Sequence, residues 1–127
     1  MKITTVGIDL AKNVFQVHAV NEAGKKVFNK QLRREQMAEF FAQMPPCLVG
    51  MEACGSAHHW ARKLTSYDHT VRLMAPQFVK PYVKTNKNDM ADAEAICEAV
   101  ARPNMRFVPI KDVEQQSVIT LHRVRQG

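Results

Sequence analysis

Two aspartates, Asp89 and Asp92, open a helix-like stretch in Lys87-Asn88-Asp89-Met90-Ala91-Asp92-Ala93-Glu94. At about 100° per residue, Met90, Ala93, Ile96, Cys97 and Val100 share one apolar stripe, and both aspartates lie on its edge. Glu94, Glu98 and Arg102 fall on the opposite, wet face. Neighbours at i and i+3 sit roughly 5–6 Å apart, so the carboxylates repel, by about 4 kcal/mol at ~4 Å if the effective dielectric is near ~20. A nearby cation would relieve that repulsion. The alternative is a pair of acids favoured by the positive end of the helix dipole, with Asn88 as the cap, and the helix alone does not separate the two readings.

The rest of the chain must be read for what it brings to this pair. Ile3 to Asp9 is a β-branched apolar run, joined by a short link to Val14–Val20, and Asn21-Glu22-Ala23-Gly24 turns into Lys25–Leu32. Strands with links this short form an antiparallel meander. Met37, Phe40, Phe41 and Met44 then recur at helical spacing up to Pro45-Pro46. Cys47–Glu52 reads as a buried strand, Gly55-Ser56 as the start of a helix with Ser56 as its cap, and Thr70–Met74 as another strand. Strand, crossover helix, strand implies parallel pairing. Pro76 and Pro81 bracket a short irregular piece before the aspartate helix. Val113, Ser117, Leu121 and Val124 predict a last helix that reaches Gly127 without a stop signal, so the chain is expected to continue.

A meander followed by alternating helices and parallel strands is the plan of an α/β, ribonuclease-H-like fold. The expectation is a mixed five-stranded sheet with flanking helices, in which the first strand lies beside the fourth. Asp9 and Glu52 then emerge together at the carboxyl ends of adjacent strands, the edge where open α/β sheets bind ligands. Gly7 leaves room for a close approach. With the aspartate helix across this edge, four carboxylates meet. Hard oxygen ligands suit Mg²⁺ or Mn²⁺, and two such ions about 4 Å apart can activate an attacking oxygen and stabilise a leaving one in phosphodiester chemistry. Taken singly, Asp9 reads equally as a turn residue and Glu52 as a helix-capping acid.

Length and composition set the frame. A chain of 127 residues makes one compact domain with a modest core. The formal net charge of +6 suits a polyanionic partner. No apolar run approaches the ~20 residues of a membrane span, and no signal-peptide pattern opens the chain, which points to a cytoplasmic protein. Cys47, Cys54 and Cys97 are widely spaced and give neither a disulfide framework nor a zinc site.

The segments Val6-Gly7-Ile8-Asp9-Leu10-Ala11-Lys12, Gly50-Met51-Glu52-Ala53-Cys54-Gly55-Ser56 and Lys87-Asn88-Asp89-Met90-Ala91-Asp92-Ala93 resemble DEDD-type insertion-sequence transposases. Their N-terminal domain is similar to the RuvC Holliday-junction resolvase, and pilin-gene inversion recombinases are relatives. The resemblance implies that Asp9, Glu52, Asp89 and Asp92 are the catalytic, metal-holding tetrad of an enzyme that cuts and rejoins DNA, in some members guided by a structured bridge RNA. It also implies a downstream domain bearing a serine that links to DNA. On this reading residues 1–110 are the RuvC-like DEDD domain, and 111–127 begin a helix leading to that missing region. A homo-oligomer is expected for the full-length protein.

Lys80, Lys84 and Lys87, interleaved with Phe78 and Tyr82, could hold phosphates beside the metal site, or form a solvated loop. Lys12 directly follows the first acidic strand and could touch a scissile phosphate. Lys25, Lys26, Lys30, Arg33 and Arg34 fit charge protection of an edge strand. Trp60 reads as core, and one of His58 and His59 could reach substrate. Three rivals stay open: an actin-like ATPase, a RuvC-like structure-specific nuclease, and a silent nucleic-acid-binding scaffold. Against the ATPase, Ala11-Lys12 stand where its phosphate loop carries glycine and a hydroxyl residue.

Overall fold

The β-branched runs pair as their short connections require. β1 (Thr5–Asp9), β2 (Val14–Val20) and β3 (Lys26–Arg33) form an antiparallel meander, with Asp9 opposite Gln16 and His18 opposite Asn29. Asn21 closes the second turn: its Oδ1 accepts from the amides of Ala23 and Lys25, at 2.9 and 3.1 Å, and Gly24 takes a positive φ of 79°. α1 (Arg34–Gln43) follows β3 directly, its first turn closed by the Gln36 side chain accepting from the Arg33 amide. Proline at 45 and 46 prevents its continuation.

β4 (Leu48–Glu52) returns parallel to β1, placing Gly50 beside Gly7 and Met51 beside Ile8. α2 (Gly55–Thr65) crosses over to β5 (Thr70–Met74), which is parallel to β4. The sheet order is β3-β2-β1-β4-β5. This computed structural model describes residues 2–11, 13–84 and 88–113. It has the mixed five-stranded sheet and flanking helices of the ribonuclease-H-like fold.

Strand alternation gives the sheet two unlike faces. Val6, Ile8, Phe15, Val17, Val49, Met51, Val71 and Leu73 point to one side and join Phe41 of α1 and Trp60 of α2 in the main core. Phe15 and Trp60 meet edge to face, with ring centroids 5.4 Å apart. The other face carries Gly7, Gly50, Gln16 and His18, and α4 (Asp89–Val100) lies across it. A short helix, α3 (Pro76–Val79), and a 3₁₀ turn over Lys80–Tyr82 lead toward α4 from β5. No described helix is long and apolar enough to cross a membrane.

Three local readings are corrected. Met90 lies on the outside of α4 at 53% exposure, and Ala95 and Ala99 complete the buried surface in its place. Ser56 stands inside α2, whose N-cap position is Cys54 and has no side-chain cap bond. β1 and β4 begin later than the apolar runs suggested, at Thr5 and Leu48. The expected final helix falls outside the described residues beyond Val113, as do Lys12 and Lys87.

Candidate metal centre

The carboxylates reach one place because of how α4 is seated. A Cβ added at Gly7 would lie 2.7 Å from Cys97 Cα and closer still to Cys97 N and Ala93 O; at Gly50 it would lie 2.6 Å from Val100 Cβ. The paired glycines are therefore a bare strip: the α4 backbone rests on Gly7, the close approach that glycine permits, and the Val100 side chain rests on Gly50. The contact sets α4 across β1 with its N-terminus toward the carboxyl ends of β1 and β4. Asn88 caps the helix, its Oδ1 accepting from the Ala91 amide at 2.8 Å.

Asp9 ends β1, Glu52 ends β4, and Asp89 and Asp92 occupy the first turn of α4. Carboxylate oxygens of Asp9, Asp89 and Asp92 lie within 4.8 Å of one another. Glu52 stands outside that trio but acts on it: burial, then the charges of Asp92, Asp89 and Glu52, push the Asp9 carboxyl up to about 7. Burial and the charge of Asp92 also raise Glu52. Among the described residues the ion pairs are Arg33–Glu35, Lys84–Glu98 and Arg102–Glu98, so none of the four acids is neutralised by a described cation. Three close carboxylates, one of them half-buried and held against ionisation, form an all-oxygen donor set that fits a divalent cation.

A further set of residues, not singled out from the sequence, holds the aspartate turn to the sheet. Asn29 Nδ2 donates to Met90 O at 3.2 Å and lies 2.8 Å from His18 Nδ1, while Gln16 Nε2 donates to Asn29 Oδ1. Both N–H donors of the Asn29 amide and its carbonyl oxygen are thereby engaged. Gln16 and His18 are buried on the α4 side of β2, and burial lowers the His18 pKa, which keeps its ring neutral. Their sequence signal was two polar side chains alternating within an apolar strand.

The lysines are distributed differently from one another. Lys80 is exposed and shares a cleft with Glu52 and Asp92. Lys84 Nζ instead lies 3.3 Å from Glu98 Oε2, an acid that Arg102 also holds at 2.9 Å. Tyr82 lies beneath the Arg102 guanidinium, 5.6 Å from ring centroid to Cζ, and Phe78 is exposed. His58 is buried, its Nδ1 accepting from the Lys111 amide at 3.1 Å, whereas His59 is exposed beside the buried Trp60.

A family model described as a transposase, of the DEDD type named for IS110, matches residues 6–127. The chain belongs to this DEDD transposase family. It is 62% identical over 125 residues to a probable family 20 transposase of Pseudomonas aeruginosa, covering 98% of this chain and 37% of that protein. A transposase for insertion sequence element IS1328 of Yersinia enterocolitica is 49% identical over 98% of this chain and 37% of its own length. The transposase for insertion sequence element IS1111A of Coxiella burnetii is 46% identical over 97% of this chain and 34% of its own length. This chain of the DEDD family thus spans about a third of the length of these relatives.

Proposed function

We propose that this chain is the N-terminal catalytic domain of a DNA transposase, with residues 1–110 forming the RuvC-like unit and the following residues leading to a downstream serine-bearing region. Asp9, Glu52, Asp89 and Asp92 would hold Mg²⁺ or Mn²⁺. The observation that carries this reading is the meeting of three carboxylates within 4.8 Å, with the Asp9 carboxyl raised to about 7. Bound there, divalent cations supply the positive charge that activates an attacking oxygen and stabilises a leaving one at a phosphodiester.

The chain's own residues do the positioning. β1 and β4 fix Asp9 and Glu52, the glycine strip and Asn29 fix the α4 turn, and Lys80 is available to a phosphate flanking the reacting one. Family membership supports DNA as the substrate and strand cleavage and transfer as the reaction. A guide RNA, an oligomeric full-length assembly and a cytoplasmic setting belong to the same proposal.

The test is thermal unfolding with and without divalent ions. A cation that binds only the folded chain stabilises it by about 2.7 kcal/mol at a concentration ~100 times its Kd. Mn²⁺ or Mg²⁺ is expected to raise the Tm of the wild type and not that of the Asp89→Asn/Asp92→Asn variant. An equal shift in both proteins, or none in either, removes the metal centre from the proposal.

A further inference from the structure

Beside the carboxylates, and sharing Glu52 and Asp92 with them, is a cleft of about 560 Å³. Its other walls are aliphatic: Pro76 and Val79 from α3, and Val83 just after the 3₁₀ turn. Gln77 and Lys80 provide its only other polar side chains, both exposed, and neither side chain has a hydrogen-bond or ion-pair partner among the described residues. The mix departs from that of another cavity, of about 340 Å³ between β2 and α4, where Lys84 and Arg102 are already paired with Glu98.

A phosphodiester bound through metal ions at the carboxylates makes no use of apolar walls. The sugar and base on one side of that phosphate do. A cleft of several hundred cubic ångströms, apolar with a few convergent polar groups, has the size and character of a small-molecule site. The cleft also has the correct charge order: carboxylates at one end for the metal-bound phosphate, and the Lys80 ammonium along the wall for a neighbouring phosphate. The Gln77 amide carries both donors and an acceptor, as the edge of a base requires. Phe78 and Tyr82, the aromatic residues of the segment, are not among the lining residues.

From this juxtaposition we propose that the cleft between α3 and α4 is a nucleotide subsite, which takes the sugar and base adjoining the phosphate at the carboxylates, with Gln77 facing the base and Lys80 the next phosphate. Contact is by aliphatic walls rather than ring stacking, so the subsite selects for the presence of a base and, through Gln77, among base edges. The inference rests on the four-carboxylate reading given above.

The experiment uses the whole chain with Mn²⁺ and short single-stranded oligodeoxynucleotides carrying 5-iodouracil at each position in turn. Irradiation is expected to give adducts within residues 76–83, mapped by mass spectrometry. Val83→Trp, which fills the cleft from a half-buried position, is expected to weaken oligonucleotide binding about tenfold, the equivalent of about 1.4 kcal/mol, while leaving Mn²⁺ binding by electron paramagnetic resonance unchanged. Gln77→Ala should keep affinity for an abasic oligonucleotide and lose affinity for the one with a base. Mn²⁺ binding with adducts elsewhere, or with Val83→Trp binding DNA as the wild type does, overturns the subsite and leaves the metal centre standing. Absence of Mn²⁺ binding in the wild type overturns both.

Discussion

Asp9 is where the chemistry of the site and the stability of the fold conflict. Its carboxyl is raised from 3.8 to about 7 by burial first and by Asp92, Asp89 and Glu52 after it. Between those values the folded chain keeps a proton that the unfolded chain has released, so stability falls as pH rises through that window and stays low above it. Asp9→Asn removes the penalty. In chelator it is expected to unfold at higher denaturant concentration than the wild type at about pH 8, by roughly 1–3 kcal/mol after solvent screening, with the gain gone near pH ~4. Added Mn²⁺ should reverse the ranking at about pH 8, because the wild type keeps all four carboxylates for the ion whereas Asp9→Asn has lost the one at the centre of the cluster. Denaturant titrations at both pH values check this, and a wild type as stable as Asp9→Asn at about pH 8 without metal would contradict it.

At this scale the approach of the acids was legible. Asp9 and Glu52 stood at the ends of β-branched runs, and Asp89 and Asp92 sat behind a capping Asn88, so element order brought Asp9, Asp89 and Asp92 together with Glu52 nearby but outside the close trio. The direction of a long flexible side chain did not follow. Lys80 and Lys84 are equivalent by spacing, yet Lys84 meets Glu98, one turn beyond Glu94 on α4, while Lys80 lines the cleft beside Glu52 and Asp92. Asn29 was hidden for another reason: its partner Met90 is a backbone carbonyl, and backbone groups leave no mark in the side-chain pattern.

Among the elements, α4 decides whether the acids form one site. Its packing surface has two rows: Ala93, Cys97 and Val100 lie over the glycine strip, and Ala95 and Ala99 are buried in a second cluster with Met74 and Val79. An alanine scores as neutral in a helical wheel, so the second row and the outward turn of Met90 were illegible without the elements packed around α4. Gly7→Ala sets a Cβ against the α4 backbone itself, which cannot rotate away as a side chain would. We expect a loss of about 2–4 kcal/mol in urea unfolding together with weaker Mn²⁺ binding, as the helix is lifted off β1. Asn29→Leu should be milder. It frees the Met90 carbonyl and the first turn, so amide exchange at Asp92, whose N–H donates to Asn88 O at 3.0 Å, is expected to speed up while exchange at Ile96 and Cys97 is unchanged. Uniform acceleration along α4 would show that Asn29 supports the whole helix instead.

For the whole molecule, the charge pattern predicts two modes of polyanion binding. The chain carries a formal net charge of +6, yet four acids gather at the carboxyl edge of β1 and β4. Lys25, Lys26, Lys30, Arg33 and Arg34 cluster along β3, the outer strand on the far side of the sheet order from β5, and all are exposed. Lys30 is steadied over Phe28 and Phe40, at 4.7 and 4.5 Å from the ring centroids, without losing its charge. Without metal, the acidic edge repels a phosphate backbone, so on the proposed function the basic edge is expected to carry DNA binding alone. Binding in chelator should therefore weaken steeply with salt, with a slope of about −0.9 per phosphate neutralised, and respond to Lys25→Ala/Lys26→Ala but hardly to Asp92→Asn. Adding Mg²⁺ is expected to open the second mode, which would involve coordination as well as counterion release. Affinity at about 0.2 M salt should then rise and become sensitive to Asp92→Asn. Fluorescence anisotropy of a labelled duplex across a salt series, with and without Mg²⁺, measures both slopes. If Asp92→Asn strengthens binding in chelator as much as Mg²⁺ does in the wild type, the ion acts only by cancelling charge and is not a ligand-specific participant.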